Sequence, residues 1–312
     1  MSRWSNYFYT VARLRPVQIR YQLSRRLLPA PKPRKDPAFG AVRSNLAGFE
    51  SLAPVQPLAD DDSIEFLNVQ KPFNEADFDW RAAGMSKLWR YNLHYFDYLQ
   101  WDHYDEARKC WLIGNWIDSN PVGTADAWEP YPVSLRVVNW IKYCFSRPAD
   151  AWPNDLSTSL AQQFLWLEAN LEYHVLANHF LKNGKALLFG GVFFEGPSAA
   201  RLFDKGMNIM LEEAAEQFLE DGGHFERSPQ YHCICTEDYL DAVALLEANP
   251  GLATSTQLSV LRRAALRALD ALEQLVAGDE RMPLFNDCAF GIAPEPSALL
   301  GYGTQVLGKT PT

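Results

Sequence analysis

Apolar residues recur every three or four positions through most of the chain beyond residue 86, and this is the spacing of an amphipathic α-helix. Leu211, Ala214, Ala215 and Phe218, for example, fall on one helical face. Glycine, proline, asparagine and aspartate mark short turns between such stretches. The pattern predicts helices over residues 86–100, 103–119, 131–146, 155–172, 174–189, 197–219, 229–248 and 255–277.

The predicted fold is all-α, because no run of alternating strands interrupts these stretches. Consecutive helices joined by short turns pack as antiparallel neighbours. Such helical hairpins either close into a ring or stack as an open solenoid. The chain has no clear repeat of fixed period, which argues against the solenoid. We therefore expect antiparallel helix pairs around a cleft.

The first 80 residues follow a different pattern. Residues 4–28 predict a basic amphipathic helix that is interrupted at Pro16, and the proline-rich residues 29–37 predict a linker. The helix either packs on the main domain or lies on an anionic membrane surface. The irregular arm up to residue 80 contains SIEFLNVQ (63–70), which predicts a strand pair or an extended segment.

We divide the chain into three parts on these grounds. Residues 1–80 form the basic helix, the linker and the arm, and residues 81–295 form the helical domain. The helical pattern ends after Gly278 in a turn-rich loop, and the chain closes on GYGTQVLGKTPT. We expect residues 296–312 to be a disordered or truncated tail.

Composition excludes several classes of protein. With 47% hydrophobic residues the chain of 312 residues can build a large core, and its net charge of −9 argues against a nucleic-acid binder. The five cysteines do not form a disulfide framework, and Cys233 and Cys235 lack the spacing of common zinc pairs. No metal site or other cofactor is predicted.

The predicted compartment rests on the lack of long apolar runs in the sequence. The arginines of residues 4–28 break any continuous apolar core, so this stretch is not predicted to be a signal peptide. No run of about 18 apolar residues predicts a membrane span. We expect a cytoplasmic protein, with a periplasmic or membrane-associated location as the alternative.

The junction DGGHFERSPQYH (221–232) concentrates polar chemistry between two predicted helices. Ser228 is a good N-cap, and Pro229 suits the first helical position, which puts Tyr231 in the first turn. The positive end of the helix dipole and Arg227 would lower the pKa of Tyr231 and let it exchange protons. The alternative is a packed tyrosine whose hydroxyl is hydrogen-bonded.

Two further stretches carry candidate ligands. Asn178 and Lys182 share a helical face in HVLANHFLKNGKALL (174–188), and an asparagine inside a helix needs either a neighbouring partner or a function. TADAWEPYPVSLRVVNW (124–140) combines flat rings with charges at a helix start. A carbohydrate would stack on such rings, although an aromatic-rich core has the same composition.

Four stretches in order, WRYNLHYFDYL, WEPYPVSLRVVNW, NHFLKNGKALLFGGVFF and DGGHFERSPQYH, resemble the N-terminal helical domain of the heparinase II/III family of polysaccharide lyases, including its alginate-lyase relatives. The resemblance covers about residues 80–295, and LRPVQIRYQL resembles members with polysaccharide-synthesis functions. It implies an incomplete (α/α) toroid. In the family a β-sandwich domain normally follows and contributes a further histidine. No strand-rich segment follows here, so we expect the toroid with the sandwich missing.

The resemblance implies a site and a reaction. Asn178 and His179 match the family's Asn-His pair, and Tyr231 matches its catalytic tyrosine. They imply β-elimination on an acidic, uronic-acid-containing polysaccharide, in which Asn178 and His179 neutralise the substrate carboxylate and Tyr231 moves protons. The predicted substrate-binding residues are Arg136, Lys182, Arg227, Trp128, Tyr131, Glu129 and His232.

Two other functions remain open. One is a glycoside hydrolase on a helical toroid that uses Asp126 and Glu129 as its carboxylates. The other is a non-catalytic protein that binds glycans or assists exopolysaccharide assembly. Formation of an unsaturated uronate separates elimination from both.

Overall fold

The computed structural model describes residues 14–28, 31–32, 35–36, 38–54, 63–276 and 281–308. These residues form an all-α domain with one short β-hairpin. In chain order the elements are α1 (Pro16–Leu27), β1 (Ser63–Phe66), β2 (Val69–Pro72), α2 (Lys87–Tyr95), α3 (Glu106–Ser119), α4 (Pro130–Phe145), α5 (Leu156–Ala169), α6 (Ala177–Phe193), α7 (Pro197–Gln217), α8 (Pro229–Ala248), α9 (Ser255–Leu275) and α10 (Pro296–Leu307), with short 3₁₀ helices at Glu75–Asp77, Asp97–Gln100 and Ala149–Ala151.

The helices form an incomplete (α/α) toroid. Helix α2 packs on α4, α4 on α6, and α6 on α8, while α3, α5, α7 and α9 lie on the outside of this inner row. The inner helices α4, α6 and α8 are buried along most of their length, as expected for helices that are apolar all round. Successive helices are antiparallel, so the inner helices all run in one direction and begin at the same end of the toroid.

Helices α6 and α7 approach each other closely through glycines. A Cβ atom on Gly206 of α7 would lie 2.3 Å from the backbone nitrogen of Leu188 in α6. A Cβ atom on Gly191 of α6 would lie 2.4 Å from the backbone nitrogen of Phe203 in α7. No side chain larger than hydrogen fits at either position, so these glycines set the spacing of the central helical hairpin.

A row of buried charges, which we call the axial ion network, joins the inner helices: Lys142, Lys182, Lys185, Asp238 and Asp241. Lys182 and Lys185 of α6 bind one oxygen of Asp238 in α8 at 2.6 Å and 2.8 Å. Asp241 of α8 binds Lys185 at 2.6 Å and Lys142 of α4 at 2.7 Å. Burial would raise the pKa of Asp241, but Lys142 and Lys185 outweigh it and hold that pKa below its usual range.

Most predicted helices are confirmed with shifted ends. The predicted helix 86–100 divides at Phe96, whose φ of 65° is left-handed, and the predicted helix 103–119 begins at Glu106 because the Asp105 side chain accepts a hydrogen bond from the Arg108 amide. SIEFLNVQ forms a strand pair, in which Leu67 and Asn68 make the turn with positive φ.

The expectation of a disordered tail from residue 296 is wrong for most of that segment. Pro296–Leu307 forms α10, which packs on α8 and α9 and buries Leu299 and Tyr302. The Tyr302 hydroxyl donates to Asp241 at 2.9 Å. Two glycines lower the helix propensity of this stretch, but tertiary packing outweighs propensity. Residues 309–312 lie outside the described residues.

Helix α1 lies on the surface of the domain. Tyr21 stacks on Tyr173 with ring centroids 4.5 Å apart, and Arg15 pairs with Glu216 at 2.6 Å. The predicted helical residues 4–13 lie outside the described residues. None of the helices in the described ranges combines the length and apolarity that crossing a bilayer requires.

We predict opposite effects of two glycine-to-alanine changes. Gly206→Ala should lower the free energy of unfolding by about 1–3 kcal/mol, because the helix backbones must separate. Gly114→Ala in α3, where a Cβ atom would meet nothing within 4 Å, should raise it by about 0.5–1 kcal/mol. Urea denaturation measures both, and equal effects would contradict the glycine-set spacing.

Candidate active site

The first turns of three inner helices meet at one end of the toroid. Helix α4 begins with Pro130 and Tyr131, α6 carries Asn178 and His179 in its first turn, and α8 carries Tyr231. The rings of Tyr131 and His179 lie 4.2 Å apart. Burial is the main cause that raises the pKa of Tyr131, and Tyr231 is close enough to contribute to that rise. The residues matched to the family's catalytic set therefore lie near one another.

The backbone leading into these helices is strained. Leu176 and Ala177, just before Asn178, have φ angles of 64° and 53°, and Arg227, just before the N-cap of α8, has a φ of 55°. A non-glycine residue held at an unfavourable positive φ destabilises the folded state by about 1–3 kcal/mol. Such residues concentrate at functional sites. The strain supports a functional role for this end of the toroid.

Helix α6 begins without a side-chain cap. Among the described residues, the backbone N–H groups of Ala177, Asn178 and His179 have no hydrogen-bond acceptor. The side-chain amide of Asn178 has no hydrogen-bond partner among these residues either. The positive end of the helix dipole and four donor groups, three backbone N–H groups and one side-chain amide, are therefore available at the first turn. This arrangement suits a carboxylate or another oxyanion.

Glu172 holds the ring of His179 in place. Its Oε1 lies 3.0 Å from His179 Nδ1, and its Oε2 accepts a hydrogen bond from Asn183 Nδ2 at 3.1 Å. Asn183 also accepts from the Glu172 backbone amide at 2.8 Å and donates to Ser134. Because Glu172 engages Nδ1, the Nε2 atom of His179 is left to face the cleft.

Tyr231 is bound differently from the sequence-based prediction. Ser228 caps α8 as expected, since its hydroxyl accepts from the Tyr231 amide. The Tyr231 hydroxyl, however, donates to Asp287 Oδ2 at 2.9 Å. Burial and this bond to a carboxylate raise the pKa of Tyr231 to about 12. The prediction of a lowered pKa was wrong, because it took account of the helix dipole and Arg227 but not of burial or Asp287.

Glu226 connects the two sides of the site electrostatically. Burial and the charge of Asp287 raise the pKa of Glu226, while His179 opposes that rise. Glu226 in turn contributes to the raised pKa of Tyr231. A single carboxylate therefore acts on both the His179 side and the Tyr231 side, which is further evidence that α6 and α8 open onto one cleft.

Three of the other residues predicted to bind substrate differ in their contacts and exposure. Lys182 points inward to Asp238, and its side chain is 12% exposed. Glu129 lies at the rim, where it pairs with Lys87 at 3.0 Å and accepts from the Tyr91 hydroxyl. Arg227 is exposed to solvent on the junction before α8.

The structure places Arg136, Trp128 and His232 in the core, which corrects their predicted role in substrate binding. The Arg136 guanidinium lies 3.9 Å from the ring of Trp116 and donates to Gln163. Trp128 Nε1 donates to the Asn120 carbonyl, and His232 Nε2 donates to the Ala268 carbonyl. Arg136 is five positions past Tyr131, or about 140° around α4, and so points away from the cleft.

Two residues of the site were not singled out from sequence. Glu172 stands six residues before Asn178, and a histidine that binds substrate needs a partner to fix its ring, so an acid near His179 was a usable signal. Asp287 lies 56 residues from Tyr231, in a loop whose sequence shows only turns. Nothing local could have assigned its contact.

Comparison with known proteins identifies the family of the chain. The family model described as heparinase II/III N-terminus matches residues 61–292. A heparin-sulfate lyase of Bacteroides thetaiotaomicron is 30% identical over 189 residues, which is 55% of this chain and 27% of that protein. A heparin-sulfate lyase of Bacteroides stercoris is 27% identical over 129 residues, which is 39% of this chain and 19% of that protein.

Solved structures share the fold. The crystal structure of heparinase III has a TM-score of 0.54 and 21% identity, and the match covers 90% of this chain and 47% of that one. A heparan sulfate lyase of Pedobacter heparinus has a TM-score of 0.52 and 21% identity, with 72% and 38% covered. The chain thus spans less than a third of the curated relatives and less than half of these structures. With its match to the family model over most of its length, the chain belongs to the heparinase II/III family.

Proposed function

We propose that the protein is a polysaccharide lyase that cleaves a uronic-acid-containing polysaccharide by β-elimination. The observation that carries the proposal is the uncapped start of α6, where Asn178 and three backbone N–H groups have no partner among the described residues. His179 and Tyr231 flank this cluster of donors. Relatives named as heparin-sulfate lyases support the same class of substrate.

The donors at the start of α6 would bind the substrate carboxylate. The proton on C5 of a uronate is too weakly acidic to remove while the adjacent carboxylate keeps its full charge. Hydrogen bonds from Asn178 and from His179, whose ring Glu172 orients, would stabilise the enolate-like intermediate. The C5 proton then leaves to a base, a C4–C5 double bond forms, and the glycosidic oxygen leaves C4 with a proton from an acid.

Tyr231 is the proposed proton carrier. Its hydroxyl reaches the cleft from the first turn of α8 and is bound only to Asp287 among the described residues. In the resting protein the raised pKa keeps this hydroxyl protonated, which suits an acid that protonates the leaving oxygen. To act as a base as well, Tyr231 must lose its proton after substrate displaces Asp287 from its hydroxyl.

The structure disfavours the hydrolase alternative. Asp126 pairs with Arg90 at 2.7 Å, and Glu129 is held by Lys87 and Tyr91. A hydrolase needs one carboxyl that is protonated and one that is free, on opposite sides of the bond to be cleaved. Both candidates instead lie on one side of the rim, each in an ion pair.

A non-catalytic glycan-binding function remains the second candidate. The observation that favours it is the Tyr231–Asp287 hydrogen bond, which leaves the tyrosine poorly prepared to accept a proton at neutral pH. Binding of a uronate oligosaccharide without release of an unsaturated product would support this function. Release of the unsaturated product supports the lyase.

The place of action is also part of the proposal. We propose a role in exopolysaccharide metabolism in the cytoplasm, on the resemblance of LRPVQIRYQL to members of that kind. Contact with an anionic membrane surface through α1 is compatible with its exposed face, on which Leu23 and Leu27 are 51% and 77% exposed beside Arg20. Binding to vesicles with and without anionic lipid tests that contact.

We predict that Tyr231→Phe abolishes elimination and spares binding. The change keeps the ring and removes the proton, so turnover should fall by about 10²-fold or more, while the affinity for uronate oligosaccharides stays within a factor of about two. Ultraviolet absorbance of the unsaturated product measures the rate, and calorimetry measures the affinity. Tyr239→Phe is the matched control, because this tyrosine lies in the same helix but donates to the Met210 carbonyl in the core. Full activity of Tyr231→Phe would mean that another residue moves the proton.

We further predict that Asp287→Asn shifts the pH profile of elimination to lower pH. Asp287 raises the pKa of Tyr231, so its neutralisation should bring that pKa below about 12, although burial keeps it above the ordinary value of 10.0. A larger fraction of Tyr231 is then deprotonated at any given pH, so the rising limb of the plot of kcat against pH moves to lower pH. Asp204→Asn, an exposed change on α7, should leave the limb in place. An unchanged limb in Asp287→Asn would show that the deprotonated tyrosine is not the reacting form.

A further inference from the structure

A second cavity lies at the end of the toroid away from the candidate active site. It has a volume of about 480 Å³, and its wall includes Lys109, Lys142, Arg147, Gln100, Tyr143 and Phe145. Tyr131 lies in the first turn of α4 at the candidate site. Lys142 lies eleven residues farther along the same helix, which is about 16 Å along its axis. The cavity is therefore separate from the cleft that holds Asn178 and Tyr231.

Lys109 is the unexplained charge of this cavity. Its side chain is only 9% exposed, yet its ammonium has a single partner among the described residues, an oxygen of Glu106 at 3.9 Å. That distance is longer than a hydrogen bond. Burial, the largest influence, lowers the pKa of Lys109. Because no described residue accepts a hydrogen bond from this ammonium, a ligand in the cavity would supply the missing acceptor.

The other cations of the wall already have partners. Lys142 binds Asp241 at 2.7 Å, and Arg147 binds both carboxylate oxygens of Glu106. The one carboxylate on the wall, Glu50, is exposed and accepts from Gln305 at 3.0 Å. Lys109 is therefore the cation of the wall without a hydrogen-bonded partner among the described residues, although the charges of Glu106, Asp102 and Asp105 favour its charged form. It stands in the first turn of α3, where the helix dipole adds to its positive potential.

We propose that this cavity binds a small acidic sugar, with Lys109 holding its carboxylate or sulfate. The volume exceeds that of a bare oxyanion and is at the lower end of small-molecule sites. Tyr143 and Phe145 line the cavity with aromatic rings, and Gln100 and Ser146, which also form hydrogen bonds within the protein, line it with polar groups. The ligand is a free acidic monosaccharide or the end of an acidic polymer, which share this chemistry.

The test separates this cavity from the cleft. Calorimetry with glucuronate is carried out on a protein that already carries Asn178→Ala and His179→Ala, so that binding in the cleft is removed. Adding Lys109→Met should weaken glucuronate binding by about tenfold or more, the effect of losing one charge-assisted hydrogen bond, whereas Lys109→Arg should retain binding. Lys35→Met, an exposed change outside the cavity, is the matched control and should have no effect.

Three further measurements decide the result. Without ligand, Lys109→Met should be at least as stable as the parent protein in urea, because it removes a charge that has no hydrogen-bonded partner from a mostly buried side chain. Glucose should bind much more weakly than glucuronate, and a uronate tetrasaccharide that binds no better than glucuronate points to the free sugar. Glucuronate binding that Lys109→Met does not change, or a strong loss of stability in that variant, would overturn the proposal. None of these results depends on elimination activity.

Discussion

The axial ion network is the constraint from which the arrangement of the site follows. Two aspartates of α8 are shared by lysines of α4 and α6, and both aspartates are fully buried. Removing charges from water is costly, and a buried network is tolerated only when each charge meets its partner with good geometry. A slip of one inner helix along the axis by a single turn, about 5.4 Å, would separate these pairs. The network therefore holds the helices in register.

Register along the axis aligns the first turns of α4, α6 and α8 at one end. Their unsatisfied N–H groups and aligned dipoles then act on the same space. Asp238 links the two regions, because it binds Lys182 near the cleft and, after burial, is the largest influence that raises the pKa of Tyr131. Its Oδ2 atom is buried and has no hydrogen-bond partner within the described residues. The network thus gives the cleft its geometry and part of its electrostatic field.

The features that could be predicted from the sequence are those that depend on residues close together in the chain. The helical spacing and the Ser228-Pro229 start of α8 depend on neighbours in the chain, so the helices and the position of Tyr231 in a first turn could be predicted. Whether an aromatic-rich segment faces a ligand or the core depends on its angle around the helix within the whole fold, which is why Trp128 and Arg136 were misplaced. The contact of Asp287 with Tyr231 depends on a distant loop, and burial together with this contact reversed the expected direction of the pKa shift of Tyr231.

The helix dipoles at the end of the toroid that contains the second cavity explain the positions of some cations there but not that of Lys109. Where α4 ends, its carbonyls carry the negative end of the helix dipole, and cations are expected there for structural reasons alone. Arg147 fills that role, since it donates to the Tyr143 carbonyl in the last turn, and Lys142 is used by Asp241. Lys109 belongs to α3, which begins at this end instead, and a cation in a first turn is opposed by the helix dipole. Neither the helix dipole nor the axial ion network gives Lys109 a hydrogen-bonded partner, and the proposed anion within the cavity would supply one.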